Sequence, residues 1–223
     1  MMNGSISKIT VRQTSAEDIP LLIALQKQIY PNIPPWSEGK LLEQLEVFPR
    51  GQLVAQCPEG LLGSASSIIV AWDDWAEPHS WKEITSSGTF ENHNPLGRTL
   101  YGVEVFVDPD SQGQGVGHML YEARRNLCKE MNLKRIICCG RLPGYHKYAT
   151  QMAAELYAQK VIWGDLKDPV LSFQLREGFS YCGMMDNYIP EDNESCGYAS
   201  LIVWLNPDYQ PELPVNNSEK SVE

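Results

Sequence analysis

Apolar and polar residues alternate in "KITVRQ", residues 8–13, which predicts a strand, and the period then changes. In "SAEDIPLLIALQKQIY" Ile19, Leu22, Ile23, Gln26 and Ile29 fall on one face of a helix. Ser15 or Asp18 can cap it, and Asp18 is favoured because Pro20 then lies in the first turn, where its missing N–H is not needed. After Pro34 and Pro35, residues 37–48 keep the helical period with Leu41, Leu42, Leu45 and Phe48 inward. "GQLVAQC" and "LLGSASSIIVAW" read as strands around the turn signal Pro58-Glu59-Gly60. Residues 73–97 are polar and irregular. A strand at 99–107 follows, then a helix at 116–131 with Val116, Leu120, Ala123, Leu127 and Met131 on one face, then the strand "RIICCG".

Beyond Gly140, "RLPGYHKYATQMAAELYAQKVIWGDLK" predicts an extra helix whose mixed apolar face is Met152, Leu156, Gln159, Val161 and Ile162. "YASLIVWLNPDYQ" closes the pattern as a last strand. Residues 211–223 are polar, Pro-containing and poor in aromatics, and are expected to form a disordered tail behind one domain spanning residues 1–210. Length agrees with that division: 223 residues, 43% hydrophobic and 21% charged, suit a single domain with a sizeable core.

A formal charge of -10 argues against nucleic acid as a partner, because phosphate binding rests on clustered Lys and Arg, and mildly favours cationic small molecules. No leader-like segment opens the chain, and no apolar run approaches the roughly 20 residues that span a bilayer, so a cytoplasmic protein without a membrane partner is expected. The six cysteines, Cys57, Cys128, Cys138, Cys139, Cys182 and Cys196, contain no C-x-x-C pair and read as buried thiols. His79, His93, His118 and His146 are equally scattered, and no metal site is expected. The 73–97 segment carries Trp75, Trp81, His79 and His93, close in sequence to Trp72. It reads either as a cover over a site or as a loop pinned to the surface by its tryptophans.

The most informative stretch is "YGVEVFVDPDSQGQGVGHML", a strand, a glycine-rich loop and a helix start. Gln112, Gly113, Gln114, Gly115, Val116 and Gly117 lie where a helix N-terminus leaves N–H groups without partners and its dipole favours an anion, so a phosphate is the expected guest. A P-loop needs a Lys and a Ser or Thr after its last glycine, and here Gly117-His118-Met119 supplies neither. The dinucleotide fingerprint G-x-G-x-x-G is disfavoured by the G-x-G-x-G spacing and by the position late in the chain. A tight strand-to-helix turn with no ligand is the remaining plain reading.

The pattern Q-x-x-G-x-G after "VDP" resembles the pyrophosphate loop of the GNAT acyltransferase superfamily, and "SFQLREGFSYCG" is similar to that family's later helix, which ends in Gly-Phe before a strand. The resemblance runs from about residue 8 to residue 205 and is specific at 104–120. It implies an α/β fold with a mixed, mostly antiparallel central sheet of about seven strands flanked by helices, with splayed central strands. It also implies acetyl-CoA, or another acyl-CoA, as cofactor, an amine on a small molecule or a protein as acceptor, and room for a homodimer. Val105, Phe106 and Val107 are the implied main-chain contacts to the pantetheine arm, and the glycine loop with adjacent His118 holds the pyrophosphate. Glu104, on the motif strand, is the candidate base, directly or through water, because an alkyl ammonium with a pKa of about 10.4 must lose a proton before it attacks.

Two departures accompany the resemblance. The tyrosine that many of these enzymes place four residues before the Gly of Gly-Phe is replaced by Gln174, which has no proton to give at neutral pH. Tyr145, Tyr148, Tyr181 or water are the alternative acids. The segment after Gly140 is also an insertion, in which Arg141, Tyr145, His146 and Tyr148 are candidate acceptor-site groups. A similar "GRLPGY" occurs in GNAT domains attached to carbon–nitrogen hydrolases, and this chain is expected to act without such a partner domain. The expected activity is N-acyl transfer, most simply of acetyl. An acyl-CoA sensor or a weakly catalytic regulatory partner of another enzyme is the alternative.

Overall fold

The computed structural model describes residues 8–30 and 34–217. Seven strands, β1 (Thr10–Gln13), β2 (Gln52–Cys57), β3 (Gly60–Val70), β4 (Thr99–Val107), β5 (Arg135–Arg141), β6 (Ser180–Met185) and β7 (Ala199–Leu205), form one sheet in the order β1-β2-β3-β4-β5-β7-β6. The β1/β2, β2/β3, β5/β7 and β6/β7 pairs are antiparallel and β4/β5 is parallel, the mixed α/β sheet that the residue pattern and the resemblance led one to expect. The β4/β5 ladder runs from Thr99↔Arg135 only to Gly102↔Cys138. Both strands continue beyond it. The chain divides into two compact units, residues 1–67 with 104–127 and residues 68–103 with 128–223, and β3 and β4 run through both.

In the first unit, α1 (Ile19–Ile29) starts after Asp18 with Pro20 in its first turn, and Ser15 instead caps a 3-10 turn just before it. The carboxylate of Asp18 is bound at 2.6 and 2.8 Å by Arg12, which holds it down to about 2. Ser37 caps α2 (Glu38–Val47) by accepting from Lys40 N–H. Leu41 and Phe48 of the expected inward face are buried, but Leu42 is 39% exposed and Gln44 takes an inward place instead. The side chains of Ile19, Leu22, Leu25, Leu41, Val54 and Phe106 form one core cluster, and Val116 and Leu120 of α4 (Val116–Glu130) close a second with Leu53, Ala55 and Ala65.

The second unit contains α3 (Trp81–Ile84), α5 (Ala154–Trp163) and α6 (Leu171–Arg176). The insertion does hold a helix, α5, but its buried face is Ala154, Tyr157, Ala158 and Val161, while Leu156 is 44% exposed. Tyrosine decided the rotation: the Tyr157 hydroxyl finds a buried partner, which lets a large ring go inside. That partner is Asp168, which is fully buried and accepts from Tyr157 Oη (2.9 Å), Gly144 N–H (3.0 Å), Val170 N–H and Leu171 N–H (2.9 Å each). One carboxylate thus caps α6 and fastens the insertion. Asp168→Ala is expected to destabilise the protein by about 3 kcal/mol, since four donors lose their acceptor in a buried place; a urea midpoint lowered at unchanged slope is the check.

The 73–97 segment is pinned rather than loose. Trp72 and Trp75 pack against His79 with ring centroids 6.0 and 5.4 Å away, and His93 Nδ1 accepts from Ile69 N–H at 3.1 Å. Burial lowers the His93 pKa to about 4, so that ring is neutral near pH 7. Residues 211–217 of the expected tail make hydrogen bonds: Asn132 Nδ2 donates to Leu213 O, and Asn216 N–H donates to Met131 O. Residues 218–223 lie outside the described residues.

Candidate active site

In the first unit β4 runs into the glycine loop and then α4, as the apolar pattern predicted. Asp108 shapes the bend: its side chain accepts from Asp110 N–H and Ser111 Oγ. Gly113 and Gly115 have φ of +77° and +86°, a backbone region that side chains rarely enter. A Cβ on either would meet nothing within 4 Å, so packing by the chain's own atoms does not explain these glycines. Intrahelical bonding starts with Met119 N–H donating to Gly115 O at 3.0 Å, which leaves the N–H groups of Val116, Gly117 and His118 without intrahelical acceptors. Gln114 turns back, donating from Nε2 to Asp110 O, and Gln112 N–H closes a turn onto Pro109 O. Curled glycines followed by amides that the helix itself does not bond give this loop the form of an anion-binding turn.

Glu104 lies where β4 passes under α1 and α2. The residue is partly exposed, but its carboxyl lines a small pocket of about 20 Å³ shared with Gln26, Gln44, Gln52, Leu41 and Phe106. That is room for about one water molecule. Gln26 Nε2 donates to Glu104 Oε2 at 3.2 Å while its Oε1 accepts from Trp36 N–H. Burial pushes the Glu104 carboxyl up to about 7, against a smaller lowering by the Gln26 hydrogen bond. Gln52 spends both Nε2 hydrogens on Phe48 O and Ser67 O, so its buried Oε1, which has no partner among the described residues, can only accept.

The main chain of β4 alternates. Asp108 N–H donates to Leu62 O of β3, and Phe106 O lies 2.5 Å from where a Cβ on Gly63 of β3 would be. Phe106 therefore turns its main chain to β3 and its ring into the core, while Val105 and Val107 turn theirs the other way. Arg124 was not legible as a site residue. It is 1% exposed, donates to Ser67 Oγ, Ser66 O and Glu104 O at 2.9–3.0 Å, and thereby ties α4 to the strand that carries Glu104. A charge four residues after Leu120, on the apolar stripe of the helix, was the available signal.

Residues 31–153, more than half of the chain, match the family model "Acetyltransferase (GNAT) family". The chain belongs to the GNAT acetyltransferase family. Two Bacillus subtilis proteins are similar to it. "Probable hydrolase YhcX" is 43% identical over 205 residues, 92% of this chain and 40% of its own, so the chain spans well under half of that relative. "Uncharacterized N-acetyltransferase YkwB" is 36% identical over 208 residues, 91% of each chain. Among solved structures, the GphF GNAT-like decarboxylase in complex with isobutyryl-CoA superposes with a TM-score of 0.78 at 22% identity, covering 88% of this chain and 99% of its own, a likeness of fold.

The other candidate groups of this GNAT chain lie in the second unit. Gln174 is buried with its amide against Gly140, where a Cβ would come within 2.2 Å of its Oε1. Tyr181 Oη donates to Glu155 at 2.7 Å, and burial with that bond raises its pKa, so it is a poor proton donor. Tyr145 donates to Met152 O, and Arg141 is taken by Asp192 and Glu194 at 2.6 and 2.9 Å. Of the insertion's candidates, His146 and Tyr148 line an open pocket of about 310 Å³ with Lys147, Lys167 and Glu194. The cysteines divide: burial pushes Cys128 and Cys139 up to about 12, as inert thiols, whereas Cys182 and Cys196 are exposed, contrary to expectation. Among the described residues no helix is long and apolar enough to cross a membrane.

Proposed function

We propose that this GNAT chain transfers an acetyl group from acetyl-CoA to a primary amine of a small molecule or a protein, with Glu104 as the base. The observation that carries this reading is the Glu104 carboxyl, held in a small pocket on the motif strand with a pKa of about 7. A carboxylate in that range is half ionised near neutral pH and is basic enough to take a proton from an ammonium as it is delivered, directly or through the one water the pocket admits. The freed amine attacks the thioester carbonyl, forming the C–N bond of a tetrahedral oxyanion, and as that collapses the C–S bond breaks and the thiolate leaves, taking up the proton that the attacking nitrogen sheds. Val105, whose main chain turns away from β3, offers the N–H for the oxyanion, and the amides of the loop from Gly113 to His118 bind the pyrophosphate.

The test is to incubate the protein with acetyl-CoA and a panel of amines and peptides and to look for N-acetylated products and free CoA by mass spectrometry. Acetylation of at least one amine supports the reading. The sensor alternative is favoured by Gln174 in the place of the family's tyrosine and by the engagement of Tyr145 and Tyr181 elsewhere. It predicts that acetyl-CoA raises the melting temperature while no amine in the panel is acetylated.

A further inference from the structure

The parallel ladder between β4 and β5 stops at Gly102↔Cys138, although neither strand ends there. Because Phe106 and Asp108 turn their main chains toward β3, the residues of β4 that face β5 are the odd-numbered ones, so Val103 carries the next carbonyl that β5 should receive. That carbonyl has another partner: Trp81 Nε1 donates to Val103 O at 3.3 Å. The ring is not a passing surface group. It starts α3, whose first turn is closed by a reciprocal cap in which Ser80 N–H donates to Glu83 (2.7 Å) and Glu83 N–H donates to Ser80 Oγ (3.2 Å). Trp81 N–H donates to Tyr188 O at 2.9 Å, and the indole packs on the cluster of Met185, Tyr188 and Ala199, the same cluster that receives Cys139 of β5.

We infer that Trp81 is a wedge that ends the β4/β5 ladder: its indole N–H takes the Val103 carbonyl, and its bulk lies where Val103 and Cys139 would otherwise pair. Neighbouring strands lie about 4.8 Å apart, a gap with no space for an indole, so the two strands cannot continue as a ladder while the ring is there. Tryptophan alone among the side chains joins that much apolar area to a single N–H donor. The open strand edge this leaves supplies amide partners for the pantetheine arm of the cosubstrate, and in this the inference rests on the acyl-CoA reading of the chain. Trp81 is a positioning residue: it acts on the strand edge, through the main chain of Val103. The 73–97 segment thereby has a function beyond covering the core, since it carries the wedge.

Trp81→Phe removes the N–H and keeps most of the packing, and Trp81→Leu removes the bulk as well. Calorimetry with two ligands separates a local from a general effect: CoA, and adenosine 3′,5′-bisphosphate, which has the nucleotide but no pantetheine arm. The expected result is CoA binding weakened about tenfold in Trp81→Phe and more in Trp81→Leu, with the bisphosphate within about twofold of wild type. Amide exchange without ligand should also slow at Gly140, whose N–H is the donor that the extended parallel register brings to Val103 O, fully in Trp81→Leu and less in Trp81→Phe, which keeps most of the bulk. Equal losses for the two ligands, or unchanged CoA affinity with unchanged exchange, would overturn the wedge. If Trp81→Leu does not fold, Trp81→Phe decides alone. Should the wild-type protein bind neither ligand, the acyl-CoA reading fails, and the exchange at Gly140 still decides the wedge.

Discussion

Glu104→Gln lowers turnover by about 10²- to 10⁴-fold while CoA affinity stays close to wild type, if the carboxylate is the base. Glutamine keeps the shape and the contact with Gln26 but cannot accept the proton. In the wild-type protein kcat/KM should rise with pH through about 7 and then level off, because the base works only when ionised and burial holds its pKa there. That acid limb should vanish in the variant. A residue that only orients the acceptor gives a different pattern, with a raised acceptor KM, most of the turnover kept and the acid limb intact. A second measurement does not depend on activity. The folded-state pKa lies above the ordinary glutamate value, so Glu104 contributes stability that is lost as pH rises from about 4.5 to 7, opposite in sign to the contribution of His93, whose lowered pKa adds stability as pH rises between about 4 and 6.5. Glu104→Gln removes the first contribution and keeps the second, so between pH 5 and pH 8 the stability of the wild type should fall relative to that of the variant. Urea midpoints at pH 5 and pH 8 for the two proteins check it.

Gly115→Val is expected to weaken CoA binding at least tenfold, on the order of 1.4 kcal/mol or more, with the fold retained. Two effects act in the same direction. A β-branched residue at a φ of +86° is strained, and the strain is relieved by turning the loop amides away from their common focus. The added methyl groups also occupy the open side of the loop, where a Cβ meets nothing of the chain itself and where the pyrophosphate is proposed to lie. Calorimetric titration with CoA is the check. Gly115→Ala should fall between the two proteins, since it carries the strain with far less bulk. Wild-type affinity in the valine variant would remove the loop from the pyrophosphate assignment, leaving Gly113 and Gly115 as residues of a sharp turn only.

The elements that sequence reading located best are those whose apolar period is long and whose ends are marked by capping residues or glycine. β4 was placed at its observed ends, and α4 to within one residue, because each presents a clean repeat over several turns or pleats. The helix of the insertion was anticipated but rotated, because its inward face is held by a polar contact. Periodicity counts Leu156 as core, whereas Tyr157 goes inside because Asp168, eleven residues on, accepts its hydroxyl. Arg124 was missed for a similar reason: a charged residue reads as solvated until its acceptors, two carbonyls and a hydroxyl from distant strands, are seen to meet it.

The sequence by itself determined the order of strands and helices, the position and curl of the glycine loop at a helix start, and Glu104 as the acidic residue of the motif strand. Each is local, set by side-chain period, capping chemistry and backbone preference within about twenty residues. Only the tertiary structure decided what those residues experience. The raised pKa of Glu104 comes from burial beneath side chains of other elements, Ile19, Leu22 and Leu41 among them, against the smaller lowering by the Gln26 hydrogen bond, and it is a matter of lost water. The end of the β4/β5 ladder likewise depends on a hydrogen bond between residues 22 apart in sequence. Solvation and non-local partners are properties of three-dimensional neighbourhood, and a linear pattern carries no record of them.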